Sequence, residues 1–426
     1  MKLLIIGAGG REHAIVRKLV RDRAQSGRSL ELYVAPGNPG IEEMATCVAI
    51  SVEDLQGLLD FAKKTAIDLT VVGPEVPLAL GIVDLFEAAG MRIFGPNQAA
   101  AQIEASKAYA RHEAEQAGVP SPKYRVFHVY DEALSYLRSQ AGPWVIKADG
   151  LAAGKGVMVT SELREAEDAL RQMMADKAFG DAGNQVVIEE FLKGEEISVL
   201  ALVDANGFQV FPAIQDHKQV GDGDSGPNTG GMGTFAPVPV ATARVMEKVR
   251  DEIFGRMIKR FKDTGKSFRG VLFAGLMVDG EQPYLIEFNA RFGDPETQVG
   301  LELLETDLLA AMEAVVDDRI ADCPLEFSKD AAVCVVLAAQ GYPGVYAKGD
   351  VIRGLDQVQR SYVLQAGTAK DERGQLVTHG GRVLNVVARG DSLTQARTFA
   401  YQAVDEIDFA GKVYRTDIGD RFGNLR

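Results

Sequence analysis

A carboxylate, a carboxamide and a guanidinium follow one another at two-residue intervals in the segment YLIEFNARFGDPE, residues 284–296. The apolar run before this segment and the turn at Gly280 predict two paired strands. Because side chains alternate along a strand, we expect Glu287, Asn289 and Arg291 to share one face. Mg²⁺ prefers oxygen ligands and phosphates, and an arginine can fork onto an anion. The segment therefore predicts a magnesium and phosphate site, and a strand end with solvated charges is the alternative.

A second set of residues suited to phosphate lies in IKADGLAAGKGV, residues 146–157. Lys147 is on a predicted strand, and the glycine-rich turn after it contains Gly154, Lys155 and Gly156. Glycines expose backbone N–H groups that bind anions, and lysines add positive charge. The spacing differs from a Walker A loop, so a P-loop fold is disfavoured. An ordinary hairpin with solvated lysines is the alternative.

Several carboxylates surround the bend between VVIEEF and LKGEE. One of them, among Glu189, Glu190, Glu195 and Glu196, could accept hydrogen bonds from ribose hydroxyls. Backbone groups near Leu192 could contact the edge of adenine. These residues indicate a nucleoside site beside the phosphates, and a solvated acidic turn is the alternative.

The turn GAGGREH at residues 7–13 follows the first predicted strand and indicates a phosphate at a helix N-terminus. It lacks the third glycine of the dinucleotide-binding fingerprint, because His13 or Ala14 stands in its place. We therefore expect a smaller phosphosugar here, and a simple tight turn between strand and helix is the alternative.

Composition limits the class of protein. At 426 residues the chain should form two to four domains, and its 60 acidic against 46 basic residues give a net charge of −14, which opposes general nucleic-acid binding. Three cysteines without disulfide or zinc spacing fit a reducing cytosol. No signal peptide or membrane-spanning run is evident, since the longest apolar run covers only residues 331–339. We expect a cytoplasmic monomer that binds neither nucleic acid nor membrane.

Three regions follow from the order of predicted elements. Residues 1–103 alternate strand and helix, which favours a parallel sheet. Residues 104–327 read as a mixed α+β body in which residues 221–233 are too glycine-rich for a strand or helix. Residues 328–426 read as a third, small α/β domain.

Motifs along nearly the whole chain resemble those of the phosphoribosylamine–glycine ligase family in the ATP-grasp superfamily. They are GAGGREHA at 7–14, VGPEVPLALG at 72–81, SKAYAR at 106–111, IKADGLAAGKGV at 146–157, DHK at 216–218, GPNTGGMG at 226–233, EFNARFGDPETQ at 287–298, GYPG at 341–344, AGT at 366–368, GGRVLNV at 380–386 and YRTDIG at 414–419. The resemblance implies a Rossmann-like (pre-ATP-grasp) N-terminal domain, a two-lobed ATP-grasp core with a mobile lobe at about 121–190, and a small C-terminal domain.

The reaction that the resemblance implies joins glycine to 5-phosphoribosylamine with ATP, through glycyl phosphate, in de novo purine synthesis. Lys107 and Lys147 would bind the ATP phosphates, and the turn at 150–156 would cover them. The residues implied for adenosine are Glu189, Leu192 and Glu196, although the sequence does not separate Glu195 from Glu196. Many relatives carry a metal carboxylate on the preceding strand, which here reads AGLMV, so Mg²⁺ or Mn²⁺ would rely on Glu287, Asn289 and the nucleotide.

The same resemblance implies roles for residues that would contact the two substrates. Arg291 would stabilise the acyl phosphate, and Asp216 and Asp294 would hold the amines of glycine or phosphoribosylamine. The remaining implied substrate residues are Gly9, Gly10 and Arg11 for the ribose phosphate, and also Lys218, Asn228 and Thr229.

Three other functions compete with this interpretation. An oxidoreductase that uses the N-terminal glycine turn would leave the EFN and GKG segments unexplained. A purine-sensing protein without turnover would have no need for Arg291 and Glu287. A related ATP-grasp ligase with another carboxylate substrate is nearer than either, and an assay with other amino acids would distinguish it.

Overall fold

The first hundred residues form an open parallel sheet covered by helices. The computed structural model describes residues 1–151 and 156–420. The strands are β1 (Lys2–Gly7), β2 (Glu31–Pro36), β3 (Thr46–Cys47), β4 (Leu69–Val72) and β5 (Ile93–Phe94), and the helices are α1 (Gly10–Ser26), α2 (Leu55–Thr65), α3 (Glu75–Ala79), α4 (Ile82–Ala88) and α5 (Gln98–Ala105). The sheet order β3-β2-β1-β4-β5 reverses between β1 and β4, where doubly wound sheets bind ligands. The predicted Rossmann-like sheet is confirmed.

The helical pattern of residues 99–118 predicts a single helix, which the structure interrupts at Ser106. This residue is extended, with φ −134° and ψ 118°, between α5 and α6 (Lys107–Gln116). Its hydroxyl accepts the Tyr109 N–H at 3.1 Å and donates to the Asp149 carboxylate at 3.0 Å. A serine that caps the helix after it competes with helix continuation, so one predicted helix becomes two. The interruption places Lys107 at the start of α6.

The next segment forms a small lobe with an antiparallel sheet and its own core. Its elements are β6 (Tyr124–Phe127), α7 (Tyr130–Ser139), β7 (Trp144–Ala148), β8 (Val157–Thr160), α8 (Leu163–Met174), a 3₁₀ turn (Gly180–Asn184) and β9 (Val186–Glu190). The strand order is β6-β9-β7-β8, and buried side chains such as Leu137, Ile146 and Leu170 pack beneath it. A separate core is what a lobe needs in order to move as a unit, and the motion itself stays a prediction.

The larger lobe continues the chain. Its strands and those of the loop that interrupts it are β10 (Glu195–Val203), β11 (Phe208–Val210), β12 (Gln215–Asp216), β13 (Gln219–Gly221), β14 (Ser225–Asn228), β15 (Gly233–Ala236), β16 (Gly270–Asp279) and β17 (Gln282–Asn289). The helices are α9 (Ala243–Lys248), a π-helix (Val249–Gly255), α10 (Arg256–Asp263), α11 (Glu296–Leu303), α12 (Leu308–Val316) and a 3₁₀ turn (Ile320–Asp322). Strands β11-β10-β16-β17 form one antiparallel sheet.

Residues 221–233, predicted to lack strands, contain the last residue of β13, all of β14 and the start of β15. Gln219 pairs with Asn228, and Gly221 pairs with Ser225. Glycines do not prevent strand pairing when the partner strand supplies the backbone hydrogen bonds, which is why the composition of this segment misled the prediction.

The last region completes a sheet that begins earlier in the chain. Its elements are β18 (Ala331–Ala338), a 3₁₀ turn (Leu355–Gln357), β19 (Tyr362–Gln365), β20 (Thr368–Lys370), β21 (Leu376–Thr378), β22 (Arg382–Gly390) and α13 (Leu393–Glu406). The sheet order is β12-β15-β18-β22-β19, so two strands from the middle of the chain join three from its end. The predicted division into 1–103, 104–327 and 328–426 is kept as a proposal about domains. Among the described helices, none has the length and apolar character that crossing a membrane requires.

Candidate active site

A cleft with about 400 Å³ of empty space lies between the small lobe and β17. Five cleft residues that the sequence predicted are Lys107, Lys147, Glu189, Glu287 and Asn289, from α6, β7, β9 and β17. Residues far apart in the chain therefore meet in one place, which combines two lysines with two carboxylates and a carboxamide.

A β-bulge in β17 changes the expected alternation of side chains. Glu287 pairs with Gly275, but the next pair joins Leu285 to Leu276, so Ile286 is an extra residue. The predicted simple alternation is wrong at this point, and Ile286 lines the cleft beside Glu287. Beyond the bulge, Glu287 and Asn289 both line the cleft, as the sequence predicted.

The extra residue supplies a carbonyl that anchors two cations. The Ile286 carbonyl accepts from Lys147 Nζ at 3.1 Å and from an Arg111 guanidinium N–H. Arg111 also donates from Nη1 to the Leu285 carbonyl at 2.8 Å. The bulge thereby fixes α6 and β7 against β17.

Glu189 is engaged by both of these cations, which differs from the predicted contact with adenosine. Its carboxylate lies 2.6 and 2.8 Å from Arg111 Nε and Nη2, and 2.9 Å from Lys147 Nζ. Burial raises the pKa of Glu189, but the charges of Arg111 and Lys147 outweigh it and leave that pKa lowered. Burial lowers the pKa of Lys147, against the charge of Glu189. Glu189 therefore orients cations in this structure, and contact with ribose stays a prediction.

Lys218 links two of the predicted carboxylates. Its Nζ donates to Glu196 and lies 3.4 Å from Glu287 Oε1. The charge of Lys218 is the largest influence on the pKa of Glu287, which it lowers to about 2 against burial and with help from Lys147 and Lys107. Glu195 is exposed, whereas Glu196 is half-buried and contacts Lys218, so the structure distinguishes the environments of the two carboxylates.

The oxygen atoms at β17 fit a divalent ion that is shared with a nucleotide. Glu287 is ionised, and Asn289 offers a neutral oxygen in the same cleft. Among residues 1–151 and 156–420, no group of three His, Cys, Asp or Glu side chains could hold a metal alone. Phosphate oxygens would therefore complete the coordination.

The strand-to-loop segment after β7 is held by Asp149. Its carboxylate accepts from the Ser106 hydroxyl and from the Ala108 N–H at 2.9 Å, and Lys107 Nζ donates to the Gly150 carbonyl at 2.9 Å. Gly156 is buried, and its carbonyl accepts the Ala148 N–H at 2.8 Å. The predicted residues Gly154 and Lys155 lie outside the described residues. Leu192 is half-buried between β9 and β10.

Asp216 is half-buried, and its buried Oδ1 has an open position. No hydrogen bond within the described residues reaches its Oδ1. Burial raises its pKa well above the usual value, and the nearby carboxylate of Glu296 raises it further. Gly231 covers it closely, since an added Cβ there would lie 2.8 Å from Asp216 Oδ1. Asp216 can therefore accept a hydrogen bond or a proton from a ligand.

Asp294, the second predicted amine-binding residue, has partners in the structure. Its carboxylate accepts from Gln298 Nε2 at 2.6 Å and from Arg382 Nη2 at 2.9 Å, and Arg382 Nη1 reaches the Gly230 carbonyl at 2.6 Å. Burial raises the pKa of Asp294, but Arg382 and Arg11 outweigh it and lower that pKa. Asp294 is therefore a charged residue that contacts β22 through Arg382, which also holds the loop at Gly230.

Arg291 does not continue the strand pattern, because β17 ends at Asn289. Its guanidinium lies 3.1 Å from Glu104 Oε1 and 3.6 Å from Glu75 Oε2. Burial alone lowers the pKa of Arg291, but Glu104 and Glu75 outweigh it and raise that pKa. The prediction that Arg291 shares a strand face with Glu287 is wrong. Glu104 lines the cleft, so Arg291 adjoins the cleft through its contact with Glu104.

The N-terminal glycine turn already holds an anion. The Gly9 N–H donates to Glu12 Oε2 at 2.7 Å, and Arg11 Nε donates to Glu12 Oε1 at 2.6 Å. Arg11 and Glu12 are buried, and an added Cβ at Gly10 would collide with Asn385. The sequence-based phosphate site at Gly9, Gly10 and Arg11 therefore has the Gly9 N–H and Arg11 Nε bound to Glu12 in this structure.

The loop after β14 is shaped by Thr229. Its hydroxyl donates to the Lys218 carbonyl at 2.8 Å and accepts the Gly231 N–H at 2.9 Å. Asn228 ends β14 and is half-buried. The bonds of Thr229 lie within the loop, so its position indicates a role in holding Lys218 rather than a free substrate contact.

Sequence reasoning missed several residues that shape the site: Glu12, Glu104, Arg111, Asp149 and Arg382. Four of them lie inside quoted motifs, since Glu12 is in GAGGREHA, Arg111 ends SKAYAR, Asp149 is in IKADGLAAGKGV and Arg382 is in GGRVLNV. These residues were therefore visible as parts of motifs in the sequence, but the residues with which they pair can be identified only from the fold.

Three family models match the chain in succession. They are Phosphoribosylglycinamide synthetase, N domain, at residues 1–104, the ATP-grasp (A) domain at 105–297, and the C domain at 332–421. A phosphoribosylamine–glycine ligase of Xanthomonas campestris is 49% identical over 425 residues, 99% of this chain and 98% of the relative. One from Caldanaerobacter subterraneus is 46% identical over 418 residues, 98% of this chain and 99% of the relative.

Solved structures agree with this assignment. The phosphoribosylamine–glycine ligase of Thermotoga maritima is 33% identical, with a TM-score of 0.82 over 98% of this chain and 100% of that one. The biotin carboxylase domain of Hydrogenobacter thermophilus 2-oxoglutarate carboxylase, solved with MgADP, has a TM-score of 0.72 over 97% of this chain and 91% of that one; at 17% identity this likeness shows the fold alone. The chain belongs to the phosphoribosylglycinamide synthetase family and has the three-domain architecture with an ATP-grasp core.

Proposed function

We propose that the protein ligates glycine to 5-phosphoribosylamine, with conversion of ATP to ADP and phosphate, in purine biosynthesis. The observation that carries the proposal is identity of 46–49% over nearly the whole chain with relatives named phosphoribosylamine–glycine ligase. The cleft supports it, because Lys107, Lys147, Glu287 and Asn289 meet there.

The nucleotide would lie in the cleft with its phosphates toward β17. Lys107 and Lys147 would bind the phosphate oxygens together with the turn that ends at Gly156. Glu287 and Asn289 would hold Mg²⁺, or Mn²⁺ in its place, which neutralises phosphate charge when bound. Leu192 and Glu196 remain the proposed contacts for adenosine.

The chemistry has two steps. A glycine carboxylate oxygen attacks the γ-phosphorus, and the bond from that phosphorus to the β–γ bridging oxygen breaks, so ADP leaves. The ribosylamine nitrogen then attacks the glycyl carbonyl carbon, the carbon–oxygen bond to phosphate breaks, and the nitrogen loses a proton. Both steps place negative charge on phosphoryl or carbonyl oxygens, which nearby Arg291 would stabilise.

Asp216 and Asp294 are the proposed groups for the two amines. Asp216 has an open, buried oxygen and a raised pKa, so it suits an amine that must lose a proton. Asp294 is charged and anchored, so it suits an ammonium group. Lys218, Asn228, Thr229 and the turn at residues 9–11 are the proposed surroundings of the substrates.

The proposal also places the enzyme in the cytoplasm as a monomer whose ligands are small molecules. The excess of acidic residues and the three unpaired cysteines support this placement.

Phosphate release with ATP, Mg²⁺, glycine and freshly generated phosphoribosylamine tests the function. We expect release only when both substrates are present, together with formation of glycinamide ribonucleotide by mass spectrometry. Equal rates with alanine or serine would indicate a different ATP-grasp ligase, and nucleotide binding without release would indicate a sensor. Binding of a reduced dinucleotide in place of ATP would indicate an oxidoreductase, which the carboxylate of Glu12 in the glycine turn disfavours.

A further inference from the structure

The segment after α13 contacts the hairpin β13–β14 through one buried arginine. Arg415 has a fully buried side chain, although it lies near the end of the chain. Its Nη1 donates to the Gln219 carbonyl at 3.1 Å and to Asp224 Oδ1 at 3.0 Å. Its Nε and Nη2 donate to the two oxygens of Asp417, at 2.7 and 2.6 Å. Both edges of the guanidinium are therefore used, one on the hairpin and one on its own segment.

Further bonds connect the same two segments. The Gly223 N–H donates to Asp417 Oδ2 at 2.9 Å, and the Thr416 N–H donates to Asp222 Oδ1 at 2.8 Å. Asp417 thus joins the arginine to the turn of the hairpin. The network contains a charge-assisted fork, which is stronger and more directional than neutral hydrogen bonds.

The hairpin depends on such contacts because it is too small to be stable alone. It has two short strands, and residues 222–227 are exposed. Two-stranded hairpins are marginal in water, and glycines such as Gly223 add conformational freedom that folding must remove. Contacts from the C-terminal segment therefore contribute much of what defines its position.

The hairpin in turn sets the position of Lys218. Lys218 directly precedes β13, and its carbonyl accepts both the N–H and the hydroxyl of Thr229, which directly follows β14, at 2.7 and 2.8 Å. The Lys218 ammonium lies 3.4 Å from Glu287 at the cleft. A shift of the hairpin would therefore move a cation beside the proposed metal ligand.

We propose that Arg415 is a positioning residue that holds the hairpin, and through it Lys218 and Thr229, in the geometry needed for ligation. The kinetic part of this inference rests on the proposed function. The structural part, anchoring of residues 217–231, stands on the contacts alone and can be tested without turnover.

Hydrogen exchange on the full-length protein tests the anchoring. Arg415→Met should raise amide exchange in peptides covering 217–231 about 10-fold or more, and Arg415→Lys should lie between that variant and the wild type, since lysine keeps the charge but loses the fork. Arg389→Met is the matched control, because Arg389 on β22 donates to the Asp330 carboxylate and the Ser328 hydroxyl rather than to the hairpin or to the segment around Arg415. Unchanged exchange at 217–231 in Arg415→Met, or an equal rise in the control, would overturn the proposal.

Asp222→Ala covers the case in which Arg415→Met does not fold. Asp222 is exposed on the hairpin and bonds to Thr416, so its removal weakens the same connection from the other side. We expect raised exchange at 217–231 with an unchanged melting temperature, and wild-type exchange in a folded Asp222→Ala protein would count against the anchoring.

Steady-state kinetics test the positioning. In Arg415→Lys we expect kcat to fall about 10-fold while the KM values for glycine, phosphoribosylamine and ATP stay within about twofold, because misplacement affects reacting groups most. An unchanged kcat in a variant with raised exchange at 217–231 would contradict the positioning role. If the wild type itself shows no glycine-dependent phosphate release, the proposed function fails while the exchange result still decides the anchoring.

Discussion

Two regions that the sequence predicted to bind phosphate differ in the partners of their basic groups. At residues 7–12, the Gly9 N–H and the Arg11 guanidinium both bind the carboxylate of Glu12, so the turn contains its own anion. At the cleft, Lys147 Nζ pairs with Glu189 and Lys107 Nζ donates to the Gly150 carbonyl, and both lysines line the same open space as Glu287. In the first region the donors bind a carboxylate of their own turn, whereas in the second the lysines line an open cleft beside two carboxylates.

Glycine content therefore locates a tight turn, whereas the side chains around the turn decide which ligand it can bind. Glu12 lies at the third position of α1, where a glutamate can reach back to the N-terminal N–H groups. A phosphate needs the same donors. We therefore expect Glu12 to contribute mainly to the stability of the fold and Glu287 mainly to turnover.

Glu287→Ala should give the largest effect on activity. We expect phosphate release to fall on the order of 1,000-fold, because the proposed metal ligand is lost and Lys218 and Lys147 lose their nearby countercharge. Circular dichroism should show an intact fold. Glu281→Ala, at the exposed turn between β16 and β17, is the control. Near-normal turnover in Glu287→Ala would remove this residue from the metal site.

Glu12→Ala should give the largest effect on stability. Removal of one member of a buried ion pair leaves Arg11 charged and unpaired, which costs about 3–5 kcal/mol. Urea denaturation should show this loss, with Glu53→Ala as an exposed control in the same domain. A variant of normal stability whose KM for phosphoribosylamine is altered would instead identify Glu12 as a substrate residue.

Arg291→Lys should have an intermediate effect, mainly on kcat. Lysine keeps the charge between Glu104 and Glu75 but loses the planar fork, and we expect a decrease of roughly 10- to 100-fold. Steady-state kinetics against Arg92→Lys, an exposed ion pair with Asp317, provide the comparison. An effect confined to KM would contradict a role in stabilising the transition state.

The smallest expected effect is a pH dependence that originates beside the glycine turn. Burial lowers the pKa of His13 to about 4 from 6.5, against the hydrogen bond with the Gln365 backbone. The unfolded chain therefore binds a proton more readily, so stability is full above pH 6.5 and is lost as pH falls toward 4. The loss for this residue amounts to up to roughly 3 kcal/mol.

Urea denaturation at pH 7.5 and pH 4.5 checks this dependence. His13→Gln should remove part of the difference between the two pH values, whereas exposed His112→Gln should leave it unchanged. His217, whose pKa burial also lowers to about 4, should account for part of the remainder. An unchanged difference in His13→Gln would show that the residue takes up no proton in this range.

Local patterns were sufficient to predict the architecture of the chain and much of its cleft. The predicted strands before the first glycine turn and at Lys147 are β1 and β7, and the motifs located Glu287, Asn289, Lys107 and Lys147. These features depend on residues close in sequence, or on motifs that recur together.

The remaining features depend on pairing between distant residues. The bulge at Ile286 arises from the register of β16 against β17, and no residue type at that position signals it. Arg291 was placed by alternation, although the strand ends two residues earlier and Glu104 and Glu75 come from other helices. The partners of Glu189 likewise lie on α6 and β7.

The sheet that joins β15 to β18 has a consequence for biosynthesis. Phe235 pairs with Val333, so β15 leaves the ribosome roughly 100 residues before its neighbour. At typical rates of translation the nascent chain carries that unpaired edge for about 5–20 s. A product released early, near residue 327, would keep the edge open and would be expected to aggregate.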